Sequence, residues 1–461
     1  MRQPPHIRLG RRDFLQLALL APVLPALQNA AEGTLRFLEY DDAEPVVRSG
    51  KLALPPAFQN SGADAIRTSW PQWVRARDAE IRGRLQRGEE DTLANFVLFG
   101  TSFTSLPRVT PDLADPAEVE RRTQARVRAF VDTVAMPGSN ERLVLLSALI
   151  ARLGYSTSPA ARRQKLAEYI LQNVNRYVTE RQQYQRNPAA SDLYRERGLS
   201  LDTDFRPNYA IETALAEVRR RGLLSTVRRA AIVGPGLDFI DKDSGFDHYP
   251  LQTLQPFALI DSLVRLSLSS IQGLRVSVFD ISPSTLEHLS RATTRARAQQ
   301  GYTLQLVLDR SRGWNQLALD YWERFATTIG APTAPLPLPE QIQGMTRRAV
   351  GIRPDVVRTL EPMQANIVLQ RARLAAAQRY DLVIATNVLI YYGAFEQALA
   401  LSNVESMLSD GGVFLTNDLR EEYPGVRLRP AAIVRVPYSG KQEEQVQIYS
   451  RSNFQPQLPP A

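Results

Sequence analysis

The sequence predicts an α/β fold in which an all-α domain precedes a mostly parallel sheet. Between residues 64 and 222, apolar residues recur at helical spacing, and breaks containing Pro or Gly separate the stretches. From residue 229 onward, short apolar runs typical of buried strands alternate with helical stretches. Such alternation favours a parallel sheet that binds ligands at the carboxyl ends of its strands. We therefore expect a helical domain at residues 33–225 and an α/β domain at residues 226–461.

The composition excludes several kinds of site. The chain has 461 residues, enough for two domains. It contains no cysteine, which excludes disulfides, thiolate metal sites and cysteine nucleophiles. Its three histidines, His6, His248 and His288, are too far apart in sequence to suggest a metal cluster. The net charge of +8 comes from arginines spread among acidic residues, without a basic run interleaved with aromatics. We expect no metal and no nucleic-acid partner.

Residues 1–32 are predicted to be an export signal or anchor. Paired Arg11 and Arg12 are followed by Phe14-Leu15 and by the apolar run Leu17–Leu27. This pattern resembles the twin-arginine export signal of bacteria, and the run is shorter than the roughly 20 residues that span a bilayer. The resemblance implies the twin-arginine export machinery as a partner. It also implies a periplasmic or exported location, or retention at the inner membrane, with membrane contact only through this segment. An amphipathic tail is the alternative.

One apolar stripe stands out in the helical domain. Phe96, Phe99 and Phe103 recur at spacings of three and four residues. This spacing predicts a helix face in the core, and a cap over a ligand is the alternative.

The first two predicted strands of the α/β domain end in residues suited to a nucleotide. Arg229–Gly234 leads into the turn Gly234-Pro235-Gly236, and Arg275–Asp280 ends in an acid that we expect to be exposed. Glycines let a ligand approach the backbone closely, and an acid at this strand end can accept hydrogen bonds from both ribose hydroxyls of an adenosine. The interval between them exceeds the roughly 20 residues of a dinucleotide fingerprint, which argues against a nicotinamide-dependent oxidoreductase.

Capping and turn residues delimit the remaining elements. Ser282-Pro283 is predicted to open a helix, and another helix is expected to begin near Pro250. The later predicted elements are the strands Tyr380–Ala385 and Gly411–Thr416, the intervening helix Phe395–Leu408, and a hairpin of Ala432–Val436 and Glu444–Tyr449 around Pro437–Lys441.

Three later stretches resemble the class I S-adenosylmethionine-dependent methyltransferases. They are the pair Asn366-Ile367, the run from Tyr380 to Tyr392, and the run from Met407 to Leu415. Within that class the sequence looks most like the chemotaxis-receptor methyltransferases, which also join a helical N-terminal domain to such a core. The resemblance implies a Rossmann-like sheet whose last strand is antiparallel and inserts beside the fifth. It also implies S-adenosylmethionine as cofactor and in-line methyl transfer to an unknown small-molecule or protein acceptor.

The resemblance also implies roles for individual residues. Asp280 would hold the ribose hydroxyls, with a helix-capping carboxylate as the alternative. Asn366 with Ile367 would lie near the adenine. Asn387 would lie at the end of the fourth strand beside the methionine part of the cofactor. Tyr391 matches a tyrosine that lines the methyl-transfer site and is the candidate catalytic residue.

The glycine turn belongs to the same predicted site. Gly234 and Gly236 would bind cofactor, and Asp238 would take its ammonium group. The chain departs from the chemotaxis family here, because Gly236-Leu237-Asp238-Phe239 replaces an acidic Gly-Glu-Glu turn and Thr386 replaces an arginine. A glutamyl substrate on a receptor is therefore not supported.

The acidic loop after this turn has other interpretations. Asp238, Asp241, Asp243 and Asp247 alternate as in calcium loops, but no Glu closes the loop, so a solvated turn is the alternative. The neighbouring His248 fits a hydrogen-bonded structural residue or a base.

Two questions stay open from the sequence. An insertion at 310–348, with Trp314, Tyr321 and Trp322, is either part of an acceptor pocket or a packed surface excursion. The rival to a methyltransferase is an exported, non-catalytic protein that binds an adenosyl ligand or acts as a scaffold on the same fold, because S-adenosylmethionine is made in the cytoplasm.

Overall fold

The computed structural model describes most of the chain after the N-terminal segment. The described residues are 35–110, 113, 115–156, 160–186, 198–199, 205–240, 245–339, 342, 344–417, 425–440 and 442–451. The predicted export signal, Asp241 and Asp243 lie outside them. Within these ranges, no helix is both long and apolar enough to cross a membrane.

Helices form most of the described chain before residue 221. In chain order they are α1 Tyr40–Val47, α2 Ala63–Phe99, α3 Pro116–Val134, α4 Glu141–Arg152, α5 Ala160–Arg186 and α6 Arg206–Arg220. The region predicted to be helical, residues 64–222, contains α2 to α6 apart from Ala63. A short strand, β1 (Leu35–Phe37), precedes them.

The second half alternates strands and helices as predicted. Its elements are β2 Arg229–Val233, α7 Gln255–Arg265, β3 Arg275–Asp280, α8 Pro283–Arg297, β4 Tyr302–Asp309, α9 Gln316–Arg324, β5 Gly330–Thr333, β6 Met345–Ile352, α10 Pro354–Val357, β7 Leu360–Gln364, β8 Gln370–Ala372, β9 Tyr380–Ala385, α11 Ala394–Met407, β10 Leu408–Thr416, β11 Arg429–Ser439 and β12 Gln442–Ser450. Helix α7 begins five residues after Pro250, and Gln252 in the intervening segment forms an antiparallel bridge with Asp238.

The main sheet has seven strands in the order β11-β12-β10-β9-β2-β3-β7. The strands β10, β9, β2, β3 and β7 pair in parallel, whereas β12 is antiparallel to both neighbours. The predicted hairpin is therefore confirmed as β11 and β12. The prediction that the last strand is antiparallel and lies beside the fifth strand of the main sheet, here β10, is also confirmed. Val446 and Ile448 of that strand are fully buried. This is an α/β Rossmann-like fold.

Alternate residues of β2 explain why the sheet needs cover on both faces. Ala230 and Ile232 belong to the hydrophobic cluster on one face, and Ala231 and Val233 belong to the cluster on the other. Because both sets are apolar, the strand is a continuous hydrophobic run in sequence, as expected for a central parallel strand.

The helices before the sheet do not have a core wholly of their own. Trp70 of α2 packs in the same cluster as Ala231 and Val383 of the sheet. Farther along α2, Phe96 packs with Phe130 of α3 and with Phe239 from the loop after β2. Helix α2 thus runs from one face of the sheet to the loop that follows its first strand.

The predicted insertion is a small subdomain between α8 and β7, which we call the excursion. Strands β4, β6 and β5 form an antiparallel sheet, so the excursion is wider than residues 310–348. Tyr321 and Trp322 of α9 are buried in the cluster that also covers one face of the main sheet.

Candidate functional site

A cavity of about 660 Å³ opens at the carboxyl ends of β2, β3 and β9. All eight residues that the sequence nominates line it: Gly234, Gly236, Asp238, Asp280, Asn366, Ile367, Asn387 and Tyr391. The volume falls within the roughly 300–1,000 Å³ typical of small-molecule sites. The strand order reverses between β2 and β9, which is where open α/β sheets bind their ligands.

The turn after β2 needs glycine for conformation and for space. Gly234 and Gly236 both have φ of +66°, in the left-handed region. A Cβ added to Gly234 would lie 2.8 Å from Cγ2 of Val388, which is in the loop after β9. The turn therefore brings bare backbone to the cavity wall.

Asp280 is buried at the end of β3, contrary to the expectation of an exposed carboxylate. Only 7% of the residue is exposed, and its carboxylate accepts a hydrogen bond of 2.7 Å from the backbone N–H of Ser282. Burial raises the pKa of Asp280 to about 6, and the backbone N–H groups of Ser282 and Gly236 limit the rise. Ser282 caps α8 as predicted. The carboxylate thus joins the glycine turn to the helix start.

Asp238 and Asp247, the two described acids of the acidic loop, both accept hydrogen bonds from other side chains. The carboxylate of Asp238 accepts hydrogen bonds from Tyr249 Oη at 2.7 Å and from Gln252 Nε2 at 2.8 Å. Asp247 is buried and accepts from Thr101 and Ser102 of the segment after α2. A solvated turn is therefore the wrong description of Asp238 and Asp247. Within the described ranges, no three His, Asp or Glu side chains form a metal-binding group.

Helix α4 holds this loop from behind. Arg142 is 1% exposed, and its guanidinium donates to the backbone carbonyls of Phe239 and Tyr249. The adjacent Glu141 carboxylate accepts from the N–H of Leu251 at 2.8 Å. The loop that forms one cavity wall is thus fixed by the first two residues of α4.

Asn366 lines the cavity but uses its side chain within the protein. Its Nδ2 donates to the carboxylate of Asp78 on α2 at 2.9 Å, and its Oδ1 accepts from the N–H of Val368 at 3.2 Å. Ile367 is 5% exposed and contributes an apolar surface beside it. The expected proximity of this pair to an adenine stays a prediction.

The loop after β9 presents Asn387 and Tyr391. Asn387 has φ of +57° and exchanges two hydrogen bonds with Asn417, of 2.8 and 2.7 Å. Tyr391 is partly exposed to the cavity, whereas Tyr392 is buried under Arg84 of α2. Arg84 also donates to the carbonyl oxygen of Tyr391 at 3.0 Å. Helix α2 therefore fixes the backbone of the candidate catalytic residue.

His248 and His288 do not line the cavity. Burial lowers the pKa of both side chains, to about 4 for His288. His288 is hydrogen-bonded to Tyr302 Oη at 2.8 Å, in a structural role.

Two further parts of the chain form the cavity wall: the helices α2 and α5, which the sequence did not nominate, and the insertion, which it left open as part of an acceptor pocket. Helices α2 and α5 contribute Asp91, Asn95, Tyr177 and Arg181, and the excursion contributes Gln305 to Asp309, Arg312, Trp314 and Trp322. The sequence does contain a sign of the helical part, because Asp91 with Asn95, and Tyr177 with Arg181, are polar pairs four residues apart on otherwise apolar helix faces. The excursion is therefore both packed and part of the cavity wall.

No protein-family model matches this chain, and no curated protein matches it in sequence. Among solved structures, it is similar to the N-methyltransferase NodS from Bradyrhizobium japonicum WM9 in complex with S-adenosyl-L-homocysteine. The identity is 12% and the TM-score 0.24, over 54% of this chain and 89% of that one.

Two further solved structures show similarity at the same level. For magnesium protoporphyrin IX methyltransferase (ChlM) from Synechocystis PCC 6803 with bound SAM, the identity is 13% and the TM-score 0.25, over 53% and 79% of the two chains. For MtNAS in complex with MTA and tNA, the identity is 11% and the TM-score 0.24, over 72% of this chain and 97% of that one. At such identities and TM-scores, these similarities carry no functional conclusion.

Proposed function

We propose that this protein binds S-adenosylmethionine and transfers its methyl group to an acceptor. The observation that carries the proposal is the convergence of all eight nominated residues on one cavity at the reversal of strand order. These residues come from four separate stretches of the sequence, so their common location is not a consequence of proximity along the chain. Within the methyltransferases, similarity of the core to the chemotaxis-receptor enzymes is a further part of the proposal, as is a distinct helical domain at 33–225.

The residues fit an adenosyl cofactor. The turn at Gly234 offers backbone without Cβ atoms, and Asp280 offers a buried carboxylate one strand away. S-adenosylmethionine, when bound, would supply a methyl group already activated on a sulfonium. The chain then has to orient the acceptor and exclude water, and a single indispensable base is not required.

The three nominated residues with ionisable side chains have distinct tasks in this proposal. Asp280, ionised above a pH of about 6, would accept hydrogen bonds from the ribose hydroxyls. Asp238 would take the ammonium group, while Tyr249 and Gln252 hold its carboxylate in place. Tyr391 would face the reacting atoms from a backbone that Arg84 fixes. The walls from α2, α5 and the excursion would exclude water.

Calorimetric titration with S-adenosylhomocysteine tests the binding part of the proposal. We expect the wild-type protein to bind it, and radiolabelled S-adenosylmethionine to lose its methyl group to an acceptor in a lysate fraction. If the wild-type protein does not bind either compound, the proposal is wrong.

A second candidate function follows from the N-terminal sequence. We propose that Arg11 and Arg12 direct the protein to the twin-arginine export machinery and so to the periplasm or the inner membrane. Outside the cytoplasm no supply of S-adenosylmethionine is expected, so an exported form would bind an adenosyl ligand without turnover. Replacing both arginines by lysine should keep the protein in the cytoplasm, because the signal depends on the planar guanidinium. Native mass spectrometry of the periplasmic fraction would then show whether an adenosyl ligand accompanies the exported protein.

A further inference from the structure

The helical wall of the cavity carries a patterned set of polar side chains. Asp91 and Asn95 are one turn apart on α2, and Tyr177 and Arg181 are one turn apart on α5. Side chains four residues apart lie on the same helix face. All four line the cavity that also contains the glycine turn and Asp280. The wall therefore presents hydrogen-bonding groups from a different part of the chain than the predicted cofactor residues.

The two charged side chains of this wall, Asp91 and Arg181, differ in whether an opposite charge lies beside them. Asp91 is 3% exposed, and its carboxylate accepts a hydrogen bond of 3.0 Å from Arg176, a guanidinium that also pairs with Glu90 and Glu180. Arg181 donates to Tyr177 Oη at 3.3 Å and lies over the ring of Phe99, 5.7 Å from its centroid. Within the described part of the chain, no carboxylate pairs with Arg181. It is a partly buried cation that contacts a hydroxyl and an aromatic ring among the described residues.

The other acids around the cavity have partners as well. Tyr249 and Gln252 bind Asp238, the N–H of Ser282 binds Asp280, and Ser311 binds Asp309 at 2.9 Å. Removing a guanidinium from water without an anion costs free energy, which an anionic ligand would recover. The guanidinium presents a planar donor fork that matches carboxylate and phosphate oxygens.

We propose that Arg181, with Tyr177 beside it and Asn95 on the same helical wall of the cavity, recognises an anionic group, a carboxylate or a phosphate, on a small-molecule acceptor. This inference rests on the proposed function, because it assigns the helical wall to the acceptor and the sheet side to the cofactor. It also favours a small molecule over a protein acceptor, since the anion would be bound inside a cavity with walls from α2, α5 and the loop after β2.

The test compares three simple probes on protein saturated with S-adenosylhomocysteine. Succinate presents carboxylates, glycerol 3-phosphate presents a phosphate, and succinamide is the uncharged analogue of the first. Binding is measured by calorimetry or ligand-observed NMR for the wild type, Arg181→Met, Arg181→Lys and the control Arg162→Met. Arg162 is an exposed arginine on the same helix and does not line the cavity.

We expect the wild type and Arg162→Met to bind at least one anion and to bind succinamide at least tenfold more weakly. Arg181→Met should lose tenfold or more in affinity for that anion, and Arg181→Lys should recover part of it. The preferred probe identifies the anion as carboxylate or phosphate. Affinity for S-adenosylhomocysteine should stay within threefold of wild type in all variants.

Three outcomes would overturn the inference. The first is equal anion binding by Arg181→Met and the wild type, and the second is no anion binding by the loaded wild type. The third is a loss of S-adenosylhomocysteine affinity in Arg181→Met at an unchanged melting temperature, because Arg181 would then contact the cofactor. If the wild type binds no S-adenosylhomocysteine, the proposed function fails instead, so the two failures are distinguishable.

Discussion

The buried carboxylate of Asp280 makes cofactor binding depend on pH. The ionised carboxylate of Asp280 accepts charge-assisted hydrogen bonds at both oxygens, whereas the protonated form accepts weaker ones, so ribose hydroxyls favour the ionised form. With a pKa of about 6, roughly one-tenth of Asp280 is ionised at pH 5 and nearly all at pH 7.5. Affinity for S-adenosylhomocysteine should therefore rise about tenfold between these two pH values.

The variant Asp280→Asn separates this effect from others. At pH 7.5 the loss of charge-assisted hydrogen bonds should weaken binding by about 1.5–3 kcal/mol. The variant should show no tenfold rise in affinity with pH, so its deficit relative to the wild type should shrink about tenfold at pH 5. Calorimetric titration at pH 5, 6 and 7.5 measures both quantities.

The variant Asp309→Asn is a matched control for this test. Asp309 also lines the cavity, but its hydrogen bonds from Ser311 hold its pKa below the usual range against desolvation by burial. Asp309→Asn should therefore leave the pH dependence of affinity unchanged between pH 5 and 7.5. A wild-type affinity that is constant over this range would refute the reasoning.

The free energy of unfolding of the unliganded protein should fall as pH rises, whereas ligand affinity rises, because both depend on the ionisation of Asp280. Because the folded-state pKa of Asp280 is raised from 3.8 to about 6, the folded protein holds this proton more tightly than the unfolded chain. The contribution of Asp280 to the free energy of unfolding should fall by roughly 3 kcal/mol as pH rises through this window. Asp280→Asn should lack this decline, which denaturant unfolding at pH 4 and pH 7 would show.

Three further substitutions test parts of the cavity wall. Gly234→Ala places a Cβ 2.8 Å from Val388 at a φ of +66°, so we expect about 1–2 kcal/mol of destabilisation and weaker S-adenosylhomocysteine binding, by thermal unfolding and calorimetry. Asn366→Ala leaves Asp78 without one buried donor and should cost about 1–3 kcal/mol in denaturant unfolding; an unchanged midpoint would contradict the observed hydrogen bond. Arg142→Met leaves backbone carbonyls unpaired and should cost at least about 2 kcal/mol, with faster proteolysis near Phe239.

The sequence predicted six of the seven strands of the main sheet, because these six are apolar runs with clear boundaries. It did not predict β7, whose residues Leu-Glu-Pro-Met-Gln form no such run. Arg229–Val233 ends at glycine, and Arg275–Asp280 ends at an acid before the capping pair Ser282-Pro283. Local propensity and the hydrophobic pattern agree at these positions, so reasoning from neighbouring residues was sufficient. The nominated residues converged for the same reason, since they follow the ends of parallel strands.

Contacts between distant stretches could not be predicted from one sequence. Nothing near Asn366 indicates that Asp78 is its partner, and nothing near Tyr391 indicates Arg84. The exposed carboxylate expected at Asp280 was wrong for this reason too, because burial depends on elements that are remote in sequence. The excursion between α8 and β7 was placed too narrowly, because β4 and β6 pair across it and extend it at both ends.

The contacts that join the two halves of the chain also constrain when the protein can fold. Asn366 meets Asp78 across 288 residues, and Arg77 meets Glu396 across 319. Closing a flexible loop of this length costs about 5 kcal/mol of chain entropy, but the second contact closes the same loop and adds little cost. Helix α1 and the first half of α2, which pack against the sheet, should therefore reach their native packing only together with it, in a slow step. A ribosome must synthesise the region near residue 396 before the first helices can reach their native packing.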